Sequence, residues 1–168
     1  MLQKNKPTAY AKCVDWANSL DADIYGTLTF GHYVKRRKGI VFKQVTIEEA
    51  DRHARAFMNF VDRAFAGANY KRKGKKRLQR IVVRQGGKAN TNGHIHFIAS
   101  TKNIEGYTTD EVIDVMNWIW ENKMKCTQKI KLRKRIEEVK NKEAVSGYIF
   151  KEWRQLGNDT ISTKASYI

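Results

Sequence analysis

The sequence predicts an α+β layer fold, an antiparallel sheet with helices packed on one face and the other face open to a ligand. Three observations carry this. Segments with a two-residue apolar period alternate along the chain with segments of helical period. Capping boxes mark helix starts at Thr46–Glu49 and Thr108–Glu111. The 168 residues are 41% hydrophobic with one proline and no linker-like stretch, which suits a single domain, 1–168, with a sizeable core.

Residues 8–20 place apolar groups at Tyr10, Cys13, Val14, Ala17 and Leu20, a helical spacing. Residues 24–30 read as a strand, and 39–45 as its hairpin partner across a basic turn. Behind Thr46, the positions Ile47, Ala50, Ala54, Phe57, Val61, Ala64, Phe65 and Ala68 form one apolar stripe, and the helix ends near Gly67. Strands follow at about 78–85 and 93–100. A helix behind Thr108 shows Val112, Ile113, Met116, Ile119 and Trp120. Residues 125–137 alternate basic and apolar groups like an edge strand. Asn141 caps a last helix over about 142–154, and the tail 158–168 adds a short strand.

Lys and Arg number 33 against 17 Asp and Glu, a formal charge of +16. A compact basic domain attracts polyanions, and with no amphipathic basic membrane helix the expected partner is nucleic acid. The charge falls in three runs: Lys35-Arg36-Arg37-Lys38, then Lys71-Arg72-Lys73-Gly74-Lys75-Lys76-Arg77, then Lys129, Lys131, Arg133, Lys134 and Arg135. Together they suggest a surface that tracks phosphates. No apolar run is long enough for a membrane span, and the N-terminus has no apolar core of a signal peptide. Cys13 and Cys126, far apart, exclude a disulfide scaffold and point to a reducing, cytoplasmic compartment.

The most informative segment is Gly93-His94-Ile95-His96-Phe97-Ile98-Ala99-Ser100. Alternation projects His94 and His96 from one face of a strand, about 7 Å apart at Cα, near enough to converge on one metal ion. Ile95, Phe97 and Ala99 face the helices. Thr27 and Thr29 share a face in the same way, placed to meet phosphates or to support metal ligands.

In the last helix, Val145, Ile149 and Trp153 form a buried line, with Tyr148 and Lys151 neighbours at i and i+3. This pairs a phenol nucleophile with a cationic helper. A phenol of pKa about 10 is weak at neutral pH, and a metal that polarises the phosphate it attacks compensates. A second Tyr-x-x-Lys, Tyr70 to Lys73, lies in the basic run and reads as contact surface.

The order Gly26-Thr27-Leu28-Thr29-Phe30, then His94-Ile95-His96, then Tyr148-x-x-Lys151 resembles the HUH endonucleases, and within them the rolling-circle replication initiators of small plasmids and single-stranded DNA phages. The likeness runs from about Ile24 to Lys151, with a domain core of about 24–154. It implies a ferredoxin-like or RRM-like five-stranded antiparallel sheet with the histidines on an open face. It implies Mg2+ or Mn2+ at His94 and His96, and attack by Tyr148 on single-stranded DNA at an origin hairpin. A 5′-phosphotyrosine and a free 3′ hydroxyl would result. Lys151 would bind the phosphate or assist deprotonation.

Related transposases and relaxases order or flank the tyrosine differently. Ala144 and Glu152 leave no second tyrosine one turn away, so the pattern resembles one-tyrosine initiators. No phosphate-binding GxxxxGK[ST] loop occurs, so unwinding and synthesis would fall to a host helicase and polymerase. Whether the chain acts as monomer or dimer stays open, as do an HUH transposase or relaxase-like strand transferase and a non-catalytic single-stranded nucleic-acid-binding module. The family often adds an acidic third ligand on the preceding strand. Here Gln85 is the substitute, grouped by alternation with Ile81 and Val83 and aimed at the histidines only through a bulge at Gly86-Gly87.

Overall fold

The computed structural model describes residues 8–29, 31–72, 76–86, 93–124, 134–151 and 161–167, with the backbone alone at 31–36, 40–44 and Lys134. The elements are α1 (Ala9–Ser19), β1 (Ile24–Thr29), β2 (Gly31–Arg36), β3 (Gly39–Gln44), α2 (Ile47–Ala66), β4 (Gln79–Gln85), β5 (His94–Ser100), α3 (Thr109–Asn122), β6 (Lys134–Glu138) and α4 (Lys142–Ile149). Each helix start follows from its cap. Thr46 and Thr108 accept from the amides of Glu49 and Glu111, whose carboxylates reach back to the cap amides. Thr8 and Asn141 cap α1 and α4 with a single side-chain acceptor each.

The central sheet is antiparallel in the order β4-β5-β1-β6, while β2 and β3 form a separate hairpin. The expectation that 39–45 pairs with 24–30 is therefore corrected. Both edges of β1 are taken, by β5 and by β6, so β3 pairs with β2 across the turn at Arg37 and Lys38. Among the described residues the sheet has four strands where the resemblance implied five. The outer edge of β4 is bridged by tail residues, Arg80 to Tyr167 and Val83 to Ile161. Of the expected strand 125–137, Lys134–Glu138 forms, and 125–133 lie outside the described residues. The last helix ends at Ile149, short of the expected 154, and residues 152–160 lie outside the described residues.

One face of the sheet carries Ile24, Leu28, Val82, Ile95, Phe97, Ala99 and Ile136 against Phe57 and Val61 of α2 and Met116 and Trp120 of α3. Glycine is required at position 26, because a Cβ there would overlap the ring of Phe97, its cross-strand partner. The main ion pair of the interior is Asp62 with Arg80, 0% and 1% exposed, joined at 2.6 and 2.9 Å. Arg80 also donates to the carbonyl of Ala165 at 2.8 Å, which ties the tail to β4 and α2.

The opposite face is not open along its whole length, contrary to the expectation of helices on one face only. Tyr25, Ile81, Val83 and Ile98 form an apolar patch there, and α1 and α4 cover it with Ala17, Leu20 and Ile149. Leaving these side chains in water would forfeit roughly 25 cal/mol for each Å² of apolar surface. Among the described residues, the end of this face at Thr27, Thr29, His94 and His96 borders a cavity of about 580 Å³.

Candidate active site

The ladder sets the site. Thr27 lies opposite His96, Thr29 opposite His94, Val83 opposite His96, and Gln85 opposite His94. Residues directly opposite in an antiparallel pair share a face. Gln85 therefore joins the histidine face with no bulge, and the expected need for one at Gly86 is corrected. That face is apolar at Ile81 and Val83 and polar at Gln85, so grouping Gln85 with its apolar neighbours did not separate it from the histidines.

The two imidazoles lie 5.1 Å apart at their ring centroids, edge to face. His96 is 2% exposed. Its Nδ1 is 2.8 Å from the Tyr25 hydroxyl and 2.9 Å from Thr27 Oγ1, and those two oxygens are 2.7 Å apart. Its Nε2 is buried with no hydrogen-bond partner. Burial, then the neighbouring charges of His94 and Lys151, push the His96 pKa down to about 3, so the ring is neutral at ordinary pH. When Nδ1 keeps the proton, Nε2 offers a lone pair, the arrangement found in histidine metal ligands held by an outer partner.

Gln85 is fully buried. Its Nε2 donates to the carbonyl of Ile149 at 2.7 Å, satisfying one of the last carbonyls of α4, which lack partners within the helix. Its Oε1 is buried without a partner. The two orphaned acceptors, His96 Nε2 and Gln85 Oε1, are of types that ligate divalent cations such as Mg2+ or Mn2+, and Gln85 pairs across the ladder with His94. Among the described residues no three His, Cys, Asp or Glu side chains converge, so the amide would have to stand in for a carboxylate.

Helix α4 brings Tyr148 over the histidines. Val145 and Ile149 pack in the second core, which turns Tyr148 outward, 46% exposed, into the cavity. Its ring lies 5.2 Å from that of His96 and 6.2 Å from that of Tyr25, edge-on to both. Lys151 Nζ donates to the Tyr148 hydroxyl at 3.2 Å and sits 4.4 Å from the ring centroid. Tyr148, with the Lys151 cation on its oxygen, thus shares one cleft with His94 and His96.

Two residues that line the cleft escaped the sequence reading as site residues, Tyr25 and Glu137, while Arg135 was read only as part of the third basic run. Alternation would have grouped Tyr25 with Thr27 and Thr29. Arg135 and Glu137 lie across β1 from Thr27 and Tyr25, and Arg135 Nε donates to Glu137 at 2.7 Å. That pairing depends on β6 lying beside β1, a relation no local pattern reveals.

Of the third basic run, Arg135 lines the cleft, while the described side chains of the other two runs lie away from it. Arg37 is exposed at the hairpin turn, and the side chains of Lys35 and Arg36 lie outside the described residues. Lys71, Arg72, Lys76 and Arg77 precede the end of β4 remote from Gln85. Seven residues of strand separate them from the histidine end, about 20 Å at strand rise. Lys76 pairs with Glu105, and Arg77 with Asp62 at 2.8 Å. Lys73, Lys75, Lys131 and Arg133 lie outside the described residues. No described helix is long and apolar enough to cross a membrane. Comparison with family models, curated proteins and solved structures returned no match for this chain.

Proposed function

We propose that the chain is a metal-dependent single-stranded DNA nicking and joining enzyme of the HUH type, a one-tyrosine initiator of rolling-circle replication. The observation that carries this reading is the edge-on approach of Tyr148 to His96 at 5.2 Å with Lys151 on the phenol oxygen. In this reading His94, His96 and Gln85 would hold Mg2+ or Mn2+, which would supply positive charge at the scissile phosphate.

Tyr148 Oη attacks the phosphorus, forming an O–P bond as the P–O3′ bond breaks. The phenol proton passes to water as the Lys151 ammonium stabilises the developing phenolate, and the departing 3′ oxygen takes a proton from water to become a hydroxyl. The 5′-phosphotyrosine keeps the phosphodiester energy, so the reverse step joins a strand. Tyr25 and Thr27 hold the His96 ring, and Arg135 on the cleft wall offers the strand a guanidinium for phosphate contact. Unwinding and synthesis would come from a host helicase and polymerase acting at an origin hairpin.

The test is incubation with single-stranded DNA and manganese followed by denaturing electrophoresis. A covalent protein–DNA band is expected. It should vanish in Tyr148→Phe and persist in Tyr70→Phe. An adduct that survives Tyr148→Phe removes the proposed nucleophile, and normal cleavage by His94→Ala with His96→Ala removes the metal site.

A further inference from the structure

At the far end of β4 from the cleft, a second cavity of about 310 Å³ is lined by Arg63, Ala68, Asn69, Tyr70, Lys71 and Arg72. Its wall is built rather than loose. Gly67 ends α2 at φ 76°, where glycine carries no penalty, and the turn behind it is closed by Tyr70 N–H to Gly67 O at 3.1 Å and Arg72 N–H to Asn69 O at 2.9 Å. Tyr70 is 4% exposed, and its hydroxyl donates to Asn59 Oδ1 at 3.0 Å, so the ring is fixed against α2.

Around that ring stand Arg63, Lys71 and Arg77, with their charges 6.0, 5.7 and 5.6 Å from its centroid. The nearest carboxylate in sequence, Asp62, is spent on Arg77 and Arg80. Among the described residues no ion pair joins Arg63, Lys71 or Arg72 to a carboxylate. The partial negative charge of about half a unit at the end of α2 is small against three full cations. Arg63 and Lys71, gathered on a rigid ring without carboxylate partners among the described residues, favour an anion of repeated phosphates, and the one apolar side chain besides the buried Tyr70 among the described lining residues, Ala68, is too small to anchor in a lipid layer.

We propose that Arg63, Asn69, Lys71 and Arg72 form a phosphate-binding subsite for a nucleic-acid strand, separate from the cleft and about 20 Å from it. The ligand class rests on the nucleic-acid reading above, and the subsite adds to it an anchor that holds the strand without touching the chemistry. Arg63 is the residue no basic run includes, brought to the loop by the last turn of α2.

The experiment compares Arg63→Gln/Lys71→Gln with Lys12→Gln/Arg52→Gln, a control that removes the same net charge from exposed positions on α1 and α2. Binding of a fluorescent single strand of about 20 nucleotides is followed against salt. The subsite variant is expected to bind about tenfold more weakly at about 0.1 M salt. Its plot of log K against log salt should be shallower by about 1.4, near 0.7 per lost contact, with the control close to wild type. Equal losses in both variants, or none in the first, overturn the subsite. So does a loss seen on phosphatidylserine vesicles and absent on DNA.

Adduct formation at saturating DNA is read alongside and is expected to be unchanged. Selective loss of binding with no adduct from any protein would sink the cleavage reading and keep the subsite. An adduct with unaltered binding does the reverse.

Discussion

The Tyr25 hydroxyl stands 2.8 Å from Nδ1 of His96, with its ring stacked 5.9 Å from the imidazole. Burial pushes the phenol of Tyr25 up to about 12, so it remains a neutral hydroxyl throughout the range in which the protein would work. With Thr27 it holds Nδ1 of His96 and leaves Nε2 without a hydrogen-bond partner. Removing the hydroxyl should loosen that hold. In Tyr25→Phe, manganese affinity measured by calorimetry should fall about 10- to 100-fold, the range for outer partners of metal-bound histidines. Unchanged affinity would show that Thr27 alone orients the ring.

Gln85 holds two structures together, the histidine edge of the sheet and the end of α4. Gln85→Leu removes the donor to Ile149 O and should cost roughly 1–3 kcal/mol in urea unfolding, because a buried carbonyl loses its partner. Gln85→Glu should lose similar stability without metal and regain much of it with manganese. A carboxylate is the stronger ligand but cannot donate to that carbonyl. If both variants unfold alike with and without manganese, Gln85 has a structural role only.

The depressed pKa of His96 makes stability fall with acid. An unfolded imidazole takes up a proton below about 6.5, while the folded one resists until about 3. Neutral His96 therefore contributes fully above about pH 6.5, and that contribution is lost progressively as the pH falls towards 3. In chelator-containing buffer, the urea midpoint of the wild type should drop more steeply between about pH 7 and pH 4 than that of His96→Asn. Parallel curves would contradict the burial assigned to the ring.

Asp62→Ala should be among the most destabilising single changes. It strands Arg80 in the interior without its counter-ion, which typically costs 3–5 kcal/mol, and it also frees Arg77. Chemical denaturation at neutral pH measures this. The loss should be accompanied by faster proteolysis of the tail, since Arg80 also holds Ala165.

Gly26→Ala forces the Phe97 ring out of its seat and should cost about 1–3 kcal/mol, the usual penalty of overpacking. A compensating Phe97→Leu should recover part of it in a double-mutant cycle. Additive losses would mean that the two sites do not touch.

Local periodicity made the secondary structure and the faces of the strands legible. The capping boxes at Thr46 and Thr108 open helices as read, because a cap is satisfied by residues three apart. His94 and His96 share a face with Thr27 and Thr29, because alternation is a property of one strand. The pairing of strands was not legible in this way. Residues 39–44 and 94–100 are both plausible neighbours for β1, and the choice rests on which apolar faces close over α2 and α3. The placement of Gln85 shows the same limit. Its neighbours Ile81 and Val83 look like core, and they are, but in the second core beneath α1 and α4.

From the sequence alone followed the α+β class, the strong positive charge, the histidine pair and the helical spacing of Tyr148 and Lys151, all of which depend on neighbours within a few residues. Only the tertiary structure decided that Tyr148 meets His96, that Tyr25 and Thr27 grip it, and that Gln85 ends α4. The tertiary structure also decided that Arg135 lines the cleft while Arg63, Lys71 and Arg72 line a separate cavity. These are contacts between elements distant in the chain, selected by burying two apolar surfaces on opposite faces of one sheet, and no local pattern encodes that choice.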